Sequence, residues 1–241
     1  MNKSFPWFAA LIALMQLSAE EKLYYTVSFW KVACVDVVMI RNETQEHQMK
    51  LEFTAKTRPI FDYFFAVENN YTTWYDKKSF VMKKYSISAN QPNAEFDYKL
   101  QWDNETKQYS TSDISYSRAQ KSHNIFTLLM RARNLSWKEL DTTWWPVEHE
   151  GTPYRGRYLW VDSTEVEIGD EKILSDHFRL DLREAEGDGV ELSEVMDVFS
   201  WGITLDGAIR QVWLERDAPR RILRAEVNVR GINLTAELNS E

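Results

Sequence analysis

From Leu23 onward, apolar and polar residues alternate with a period of two, the pattern of strands buried on one face. Leu23, Tyr25, Val27 and Phe29 form one stripe, and Ala33, Val35, Val37 and Met39 another. Met49, Leu51 and Phe53 alternate with Lys50, Glu52 and Thr54. The clearest stripe is Ala94, Phe96, Tyr98, Leu100 and Trp102 against Glu95, Asp97, Lys99, Gln101 and Asp103. Near the C-terminus, Leu223, Ala225, Val227 and Val229 precede Ile232, Leu234, Ala236 and Leu238. Polar turns separate the stripes: Arg41 to His47, Asp76 to Lys78, Asn90 to Asn93, Asp103 to Lys107, Gly169-Asp170, Asp206-Gly207 and Asp217 to Arg220. Short links of this kind suit antiparallel neighbours, since parallel strands need long crossovers. The expected fold is all-β, mainly an antiparallel meander, closed as a barrel or left as an open half-barrel.

One segment breaks the period. Ile125, Leu128, Leu129 and Ala132 recur at helical spacing, which predicts a short helix around 123–133 with Ser122 as N-cap. No linker, repeat or low-complexity tract interrupts the chain after the first twenty residues, so 20–241 is expected to be one domain.

Residues 1–19 differ in kind. Lys3 precedes an almost wholly apolar run from Phe5 to Leu17, and Ser18-Ala19 supplies small residues before Glu20. That order is a secretory signal peptide, with cleavage expected near Ala19, and the apolar run is too short to span a bilayer. No transmembrane span is expected in the mature chain. Cys34 is the only cysteine, so an exported chain here has no internal disulfide and fits the periplasm of a Gram-negative bacterium. Five Asn-x-Ser/Thr triplets, at Asn42, Asn70, Asn104, Asn134 and Asn233, are read as coincidence.

Charge and composition narrow the chemistry. The net charge of -8 argues against nucleic acid, which demands clustered positive charge. The acidic run from Glu184 to Glu194 misses the calcium-loop spacing, because the twelfth position is Val195, and it is read as a solvated loop. His47, His123, His149 and His177 show no zinc spacing. On a strand, His149 would face away from both Glu148 and Glu150. There is no Gly-x-Ser-x-Gly elbow, and Cys34 sits in an apolar strand where a thiol is usually inert. No metal, cofactor or catalytic residue is expected. Paired carboxylates for glycoside hydrolysis meet in space and leave no readable spacing.

Two aromatic clusters are surplus to the alternating pattern. Phe61, Tyr63, Phe64 and Phe65 lie within a run starting at Pro59, and Trp144 and Trp145 precede Pro146 in what reads as a polar connection. Such rings either plug an end of the sheet or form a recognition patch, since large exposed apolar patches are uncommon. These six residues are the candidates for a ligand or partner surface.

The opening Glu21 to Val27, the small residues Ala33-Cys34 opening the second strand, and Phe64 to Asp76 together carry a family likeness. Phe126 to Arg131, Val212 to Ile222 and Gly231 extend it. With these residues the chain resembles the exported bacterial family catalogued as domain of unknown function 3108. The resemblance covers nearly all of 20–241, although Cys34 stands where a Gly is common and Trp is unusually abundant. It implies an exported, β-rich, barrel-like domain and transfers no site residues. By analogy, periplasmic lipoprotein carriers have open half-barrels of similar character. The expected function is a non-catalytic envelope binding module for a lipid, lipoprotein or glycan ligand, or for an envelope protein partner. The alternatives are a structural or interaction protein with no small ligand, and an enzyme acting on cell-surface polymers.

Overall fold

A computed structural model describes residues 20–44, 48–92, 94–118, 121–195 and 197–240. The expected leader over 1–19, together with His47 and Asn93, lies outside the described residues. In chain order the strands are β1 (Glu21–Phe29), β2 (Val32–Glu43), β3 (Gln48–Thr57), β4 (Glu68–Asp76), β5 (Met82–Gln91), β6 (Ala94–Asp103), β7 (Gln108–Ser110) and β8 (Ser115–Ser117). They continue as β9 (Trp144–His149), β10 (Thr152–Ile168), β11 (Glu171–Glu184), β12 (Ile209–Glu215), β13 (Ile222–Val229) and β14 (Ile232–Leu238). Among the described residues, four helices interrupt them: α1 (Pro59–Phe65), α2 (Ile125–Asn134), α3 (Trp137–Leu140) and α4 (Val198–Thr204).

The fourteen strands of the described residues belong to one antiparallel sheet in the order β8-β7-β6-β5-β4-β3-β2-β1-β14-β13-β12-β11-β10-β9. Two meanders, β1 to β8 and β9 to β14, are therefore sewn together where β1 meets β14, with Tyr25 opposite Leu238 and Phe29 opposite Leu234. The expected all-β antiparallel architecture is present. Several hairpins turn in two residues with positive φ, as at Trp30-Lys31, Glu150-Gly151 and Arg230-Gly231. That geometry matches strand twist.

The sheet curls around α2. Phe126 on α2 meets Phe53, Tyr71 and Tyr85 at ring distances of 5.0, 5.2 and 6.0 Å, on β3, β4 and β5. Leu128 packs against Gly156 on the opposite flank, where an added Cβ would fall 2.9 Å from its Cδ2. A helix touched from both sides must be buried nearly all round, and Ile125, Thr127, Leu128, Met130, Ala132 and Arg133 all are. The N-cap is Asn124, whose side chain accepts from Thr127 N–H, so the helix starts two residues beyond the expected Ser122. Ser122 has another task. Its carbonyl accepts Met82 N–H at 3.0 Å, while His123 pairs with β9 through Pro146 O and Glu148 N–H. The segment thus ties β5 to the β9 edge and draws the curl toward a barrel.

The clear period-two stripes are the concave face. Tyr98, Leu100 and Trp102 are buried, as are Leu23, Tyr25, Val35 and Met39. The stripes of β1, β2 and β14 fade toward the Trp30 hairpin: Val27 and Leu234 are only half-buried and Phe29 is exposed. Among the described residues, none from α2 lines the concavity at that end.

Candidate functional site

Two concavities open beside α4, one apolar and one polar. The apolar groove has a volume of about 470 Å³. Its floor is Val27, Phe29 and Leu234, from the uncovered ends of their stripes, with Val32, Cys34 and Val35 of β2. Its walls are Phe61 and Phe65 from α1 and Val198 and Phe199 from α4. Helix α1 forms because Pro59 presets the first helical φ, but none of its residues is buried. Ile60, Tyr63 and Phe64 point into solvent at 76%, 89% and 79% exposure. What holds α1 is polar and lies at its ends. Thr57 Oγ1 accepts Val67 N–H at 2.8 Å, and Arg58 donates to Asp36 at 2.7 and 2.9 Å. The Cys34 thiol donates to Val27 O at 3.4 Å, and burial pushes its pKa up.

The aromatic candidates therefore separate. Phe61 and Phe65 line the groove, with Tyr63 and Phe64 on the same helix outside it. Trp144 and Trp145 are elsewhere, and they lie on strand β9 rather than in a polar connection. Strand parity sends them to opposite faces. Trp145 is buried against Tyr158, with the Arg131 guanidinium 4.9 Å from its ring. Trp144 is half-buried among Arg155, Arg157 and Arg183, at 5.3, 4.5 and 5.4 Å.

The polar cleft, about 420 Å³, lies between the β9–β10 hairpin and the acidic segment 185–195. That segment crosses the concave face, pinned by Ala185 N–H to Pro153 O and by Val190 N–H to Gly151 O, both at 2.9 Å. Gly151, at φ +85°, cannot be replaced without a clash, since a Cβ there would sit 1.8 Å from Val190 O. Asp197 then caps α4, its carboxylate accepting Ser200 N–H at 3.1 Å, Asn69 Nδ2–H at 2.9 Å and Tyr71 O–H at 2.9 Å.

Four polar groups converge where α4 meets the hairpin. Ser200 Oγ lies 2.6 Å from Glu150 Oε1, 2.9 Å from Asp197 Oδ2 and 3.0 Å from His149 Nε2. Sequence reasoning separated His149 from both neighbouring glutamates. The separation holds for Glu148 and fails for Glu150, because β9 ends at His149 and Glu150 occupies the turn, at φ +51°. Burial pushes the Glu150 carboxyl up to about 7, with Ser200 opposing and Asp197 adding to the rise. Burial also lowers His149 to about 4, so it is neutral at physiological pH. Glu148 faces the other way into a separate lock, accepting from Tyr116 O–H at 2.9 Å and Arg118 Nε–H at 2.6 Å.

The remaining described histidines serve elsewhere. His123 Nδ1 is 2.9 Å from Phe80 O and His177 stacks on Trp213 at 4.2 Å. Among the described residues, no three His, Cys, Asp or Glu side chains are placed to hold a metal ion, and no helix is long and apolar enough to cross a membrane.

No family model matches the chain, and neither does any curated protein. Among solved structures, it is similar to a β-barrel-like protein of domain of unknown function DUF1849 from Brucella abortus. The TM-score is 0.57 at 8% identity, over 92% of this chain and 96% of that one. At that identity the likeness shows the fold alone, a β-barrel-like one, and the expected membership of domain of unknown function 3108 is not confirmed.

Proposed function

We propose that the chain is an exported, non-catalytic binding module of the bacterial envelope that takes a long acyl chain into the groove beside α1. The observation that carries this reading is the chemistry of the groove wall. Among the described lining residues, only Thr57 and Cys34 bring polar side-chain atoms to it, and both are already engaged: Thr57 Oγ1 with Val67 N–H and Phe65 O, Cys34 with Val27 O. A glycan would find no free donor or acceptor there, whereas an acyl chain needs none. Each buried methylene is worth about 0.8 kcal/mol, so a fatty chain gains affinity from wall contact alone. The size lies in the ordinary range for ligand clefts, roughly 300–1,000 Å³. Exposed Tyr63 and Phe64 share α1 with the wall residues Phe61 and Phe65, and exposed Trp30 stacks at 5.1 Å on Phe29 of the floor, so the groove is bordered by further ring surface. The apolar leader-like run from Phe5 to Leu17 supports the export half of the proposal.

The test is displacement of dansyl-undecanoic acid by palmitate. Wild type should bind the probe and release it to palmitate but not to maltotriose. Phe65→Glu places a charge on a partly exposed groove wall and should weaken the probe at least ten-fold without unfolding the protein. No binding, or binding indifferent to Phe65→Glu, overturns the groove reading. N-terminal sequencing of protein from the producing cell should start at or near Glu20; an intact Met1 in the cytosol overturns export.

A further inference from the structure

Among the described residues, the five most exposed large apolar side chains are, in falling order, Tyr63, Phe64, Ile60, Trp30 and Val32. The register places all five at one end of the sheet. Thr57, where β3 runs into α1, lies opposite Val35, just inside the β1–β2 hairpin. The β13–β14 hairpin joins the same end, since Phe29 is opposite Leu234 and Trp30 N–H donates to Asn233 O at 3.4 Å. Ile232, also exposed, opens the second strand of that hairpin. Single exposed apolar residues need no explanation, but a cluster of this kind marks an interaction surface.

Helix α1 has two apolar faces. Phe61 and Phe65, four residues apart, line the groove. Ile60, Tyr63 and Phe64 stand three and four apart and share a second face. The rings of Tyr63 and Phe64 meet edge-on at 5.1 Å, and neither is buried. Since polar bonds at its ends hold the helix, the fold gains nothing from this outer face.

Charge says what covers it. Lys31 and Arg230 stand at the two hairpin tips, exposed and without a carboxylate partner among the described residues. The neighbouring acids are engaged at home. Asp36 holds Arg58 at 2.7 Å, Glu68 holds Lys56 at 2.8 Å with Asp62 adding to the field on Lys56, and Asp206 acts on Arg210. The free charge around α1 and the two hairpins is therefore positive, on a chain whose net charge is -8. A membrane interface offers hydrocarbon for the rings and phosphate for the cations. A protein partner would want roughly one hydrogen bond per 100–200 Å². The face of Ile60, Tyr63 and Phe64 brings one polar side-chain atom, the Tyr63 hydroxyl, and tyrosine and tryptophan are the residues that settle at headgroup level.

We propose that this end of the molecule docks on a phospholipid bilayer, with Ile60, Tyr63, Phe64 and Trp30 entering the headgroup–acyl boundary and Lys31 and Arg230 meeting lipid phosphates. Phe61 and Phe65 ride on the same short helix, so docking brings the groove wall to the membrane and an acyl chain need not cross water to reach it. That purpose rests on the groove reading, whereas the docking itself does not. Helix α4 separates this flank from Glu191 and Glu194 of the polar cleft.

Cosedimentation with vesicles of phosphatidylethanolamine and phosphatidylglycerol tests it, using protein purified from the producing cell. Wild type should cosediment. Tyr63→Asp combined with Phe64→Asp should weaken partitioning about ten-fold or more at unchanged melting temperature. Lys31→Gln combined with Arg230→Gln should weaken it about five-fold or more, and should change nothing on phosphatidylcholine alone. Failure to cosediment, or indifference to the paired aspartates, overturns the docking face; if the aspartates unfold the protein, indifference to the hairpin-tip pair overturns it. Saturating the groove with palmitate beforehand should leave vesicle binding in place, and release by palmitate overturns docking because the groove itself would then be gripping lipid. Self-association that the paired aspartates abolish and vesicles do not disturb assigns the face to a second copy and overturns the bilayer. The two readings fail separately. Vesicle binding without capture of dansyl-undecanoic acid removes the groove ligand and leaves docking, and capture without vesicle binding does the reverse.

Discussion

Replacing Glu150 by Gln should stabilise the protein at alkaline pH and leave it unchanged in acid. Glu150 sits where His149, Asp197 and Ser200 crowd it, with Tyr71, Tyr85, Tyr98 and Tyr154 around and Glu191 and Glu194 on the rim. No positive group faces it among the residues lining the cleft. Its folded pKa of about 7 lies above the ordinary 4.5. Between those values the native carboxyl holds a proton that the unfolded chain has lost, so stability falls as pH rises through the window. At about 1.36 kcal/mol for each unit of pKa, the full loss above pH 7 is roughly 3 kcal/mol. Gln has the shape of the protonated acid, can still hydrogen-bond Ser200, and never ionises. The variant should therefore match wild type near pH 4.5 and exceed it by roughly 3 kcal/mol at pH 8. His149, with its lowered pKa, makes both proteins less stable as pH drops below 6.5 toward 4, and it cancels in the difference. Urea unfolding of the two proteins at pH 4.5, 6 and 8 measures the gap. A constant gap across pH, or a variant less stable at pH 8, would refute the placement of Glu150 as a buried, uncompensated acid.

Trp145→Ala should cost roughly 3–5 kcal/mol by urea unfolding, because it empties a buried site, whereas Trp144→Ala removes surface stacking on arginines worth about 1 kcal/mol; equal effects would refute the opposite-face placement. Gly151→Ala should unfasten the 185–195 segment, since its Cβ meets Val190 O, and limited proteolysis should cut there before the sheet unfolds. Cys34 should react slowly with thiol reagents in the native protein and more slowly still with palmitate bound, as its side chain lines the groove; rapid labelling or indifference to palmitate would remove it from the groove wall.

Much of the fold was legible because a sheet with one buried face writes its geometry as alternation. Tyr98, Leu100 and Trp102 are the example, all three buried and all three in one stripe. Helices α1 and α4 were not legible. Each is seven residues, too short for a 3.6-residue period to emerge, and α1 carries rings on consecutive positions because it buries none of them. The stripe Leu23, Tyr25, Val27 and Phe29 named the right face but could not say which members are covered; the first two are core and the last two are groove. The polar cleft was hidden for two separate reasons. Glu150 takes a left-handed turn position that an Asn or Gly would advertise, so the sequence pattern extends the strand one residue too far. Ser200 arrives from fifty residues downstream, and proximity across that separation has no period at all.

Helix α4 is the physical link between the two concavities. Val198 and Phe199 wall the groove while Ser200 and Thr204 wall the cleft. The helix is anchored at both ends: Asp197 accepts Phe199 N–H and Ser200 N–H while Asn69 and Tyr71 hold Asp197 in place from β4, and the buried Arg210 guanidinium donates to Ile203 O and Leu205 O at the far end. Ser200 is therefore a cap contact, a cleft wall and the neighbour of two groove residues at once. A rigid helix cannot shift one face alone, so any ligand that moves Ser200 moves Phe199 by a similar amount. Two concavities thus lie on opposite faces of one short helix held at both ends, so a change in one wall is felt by the other.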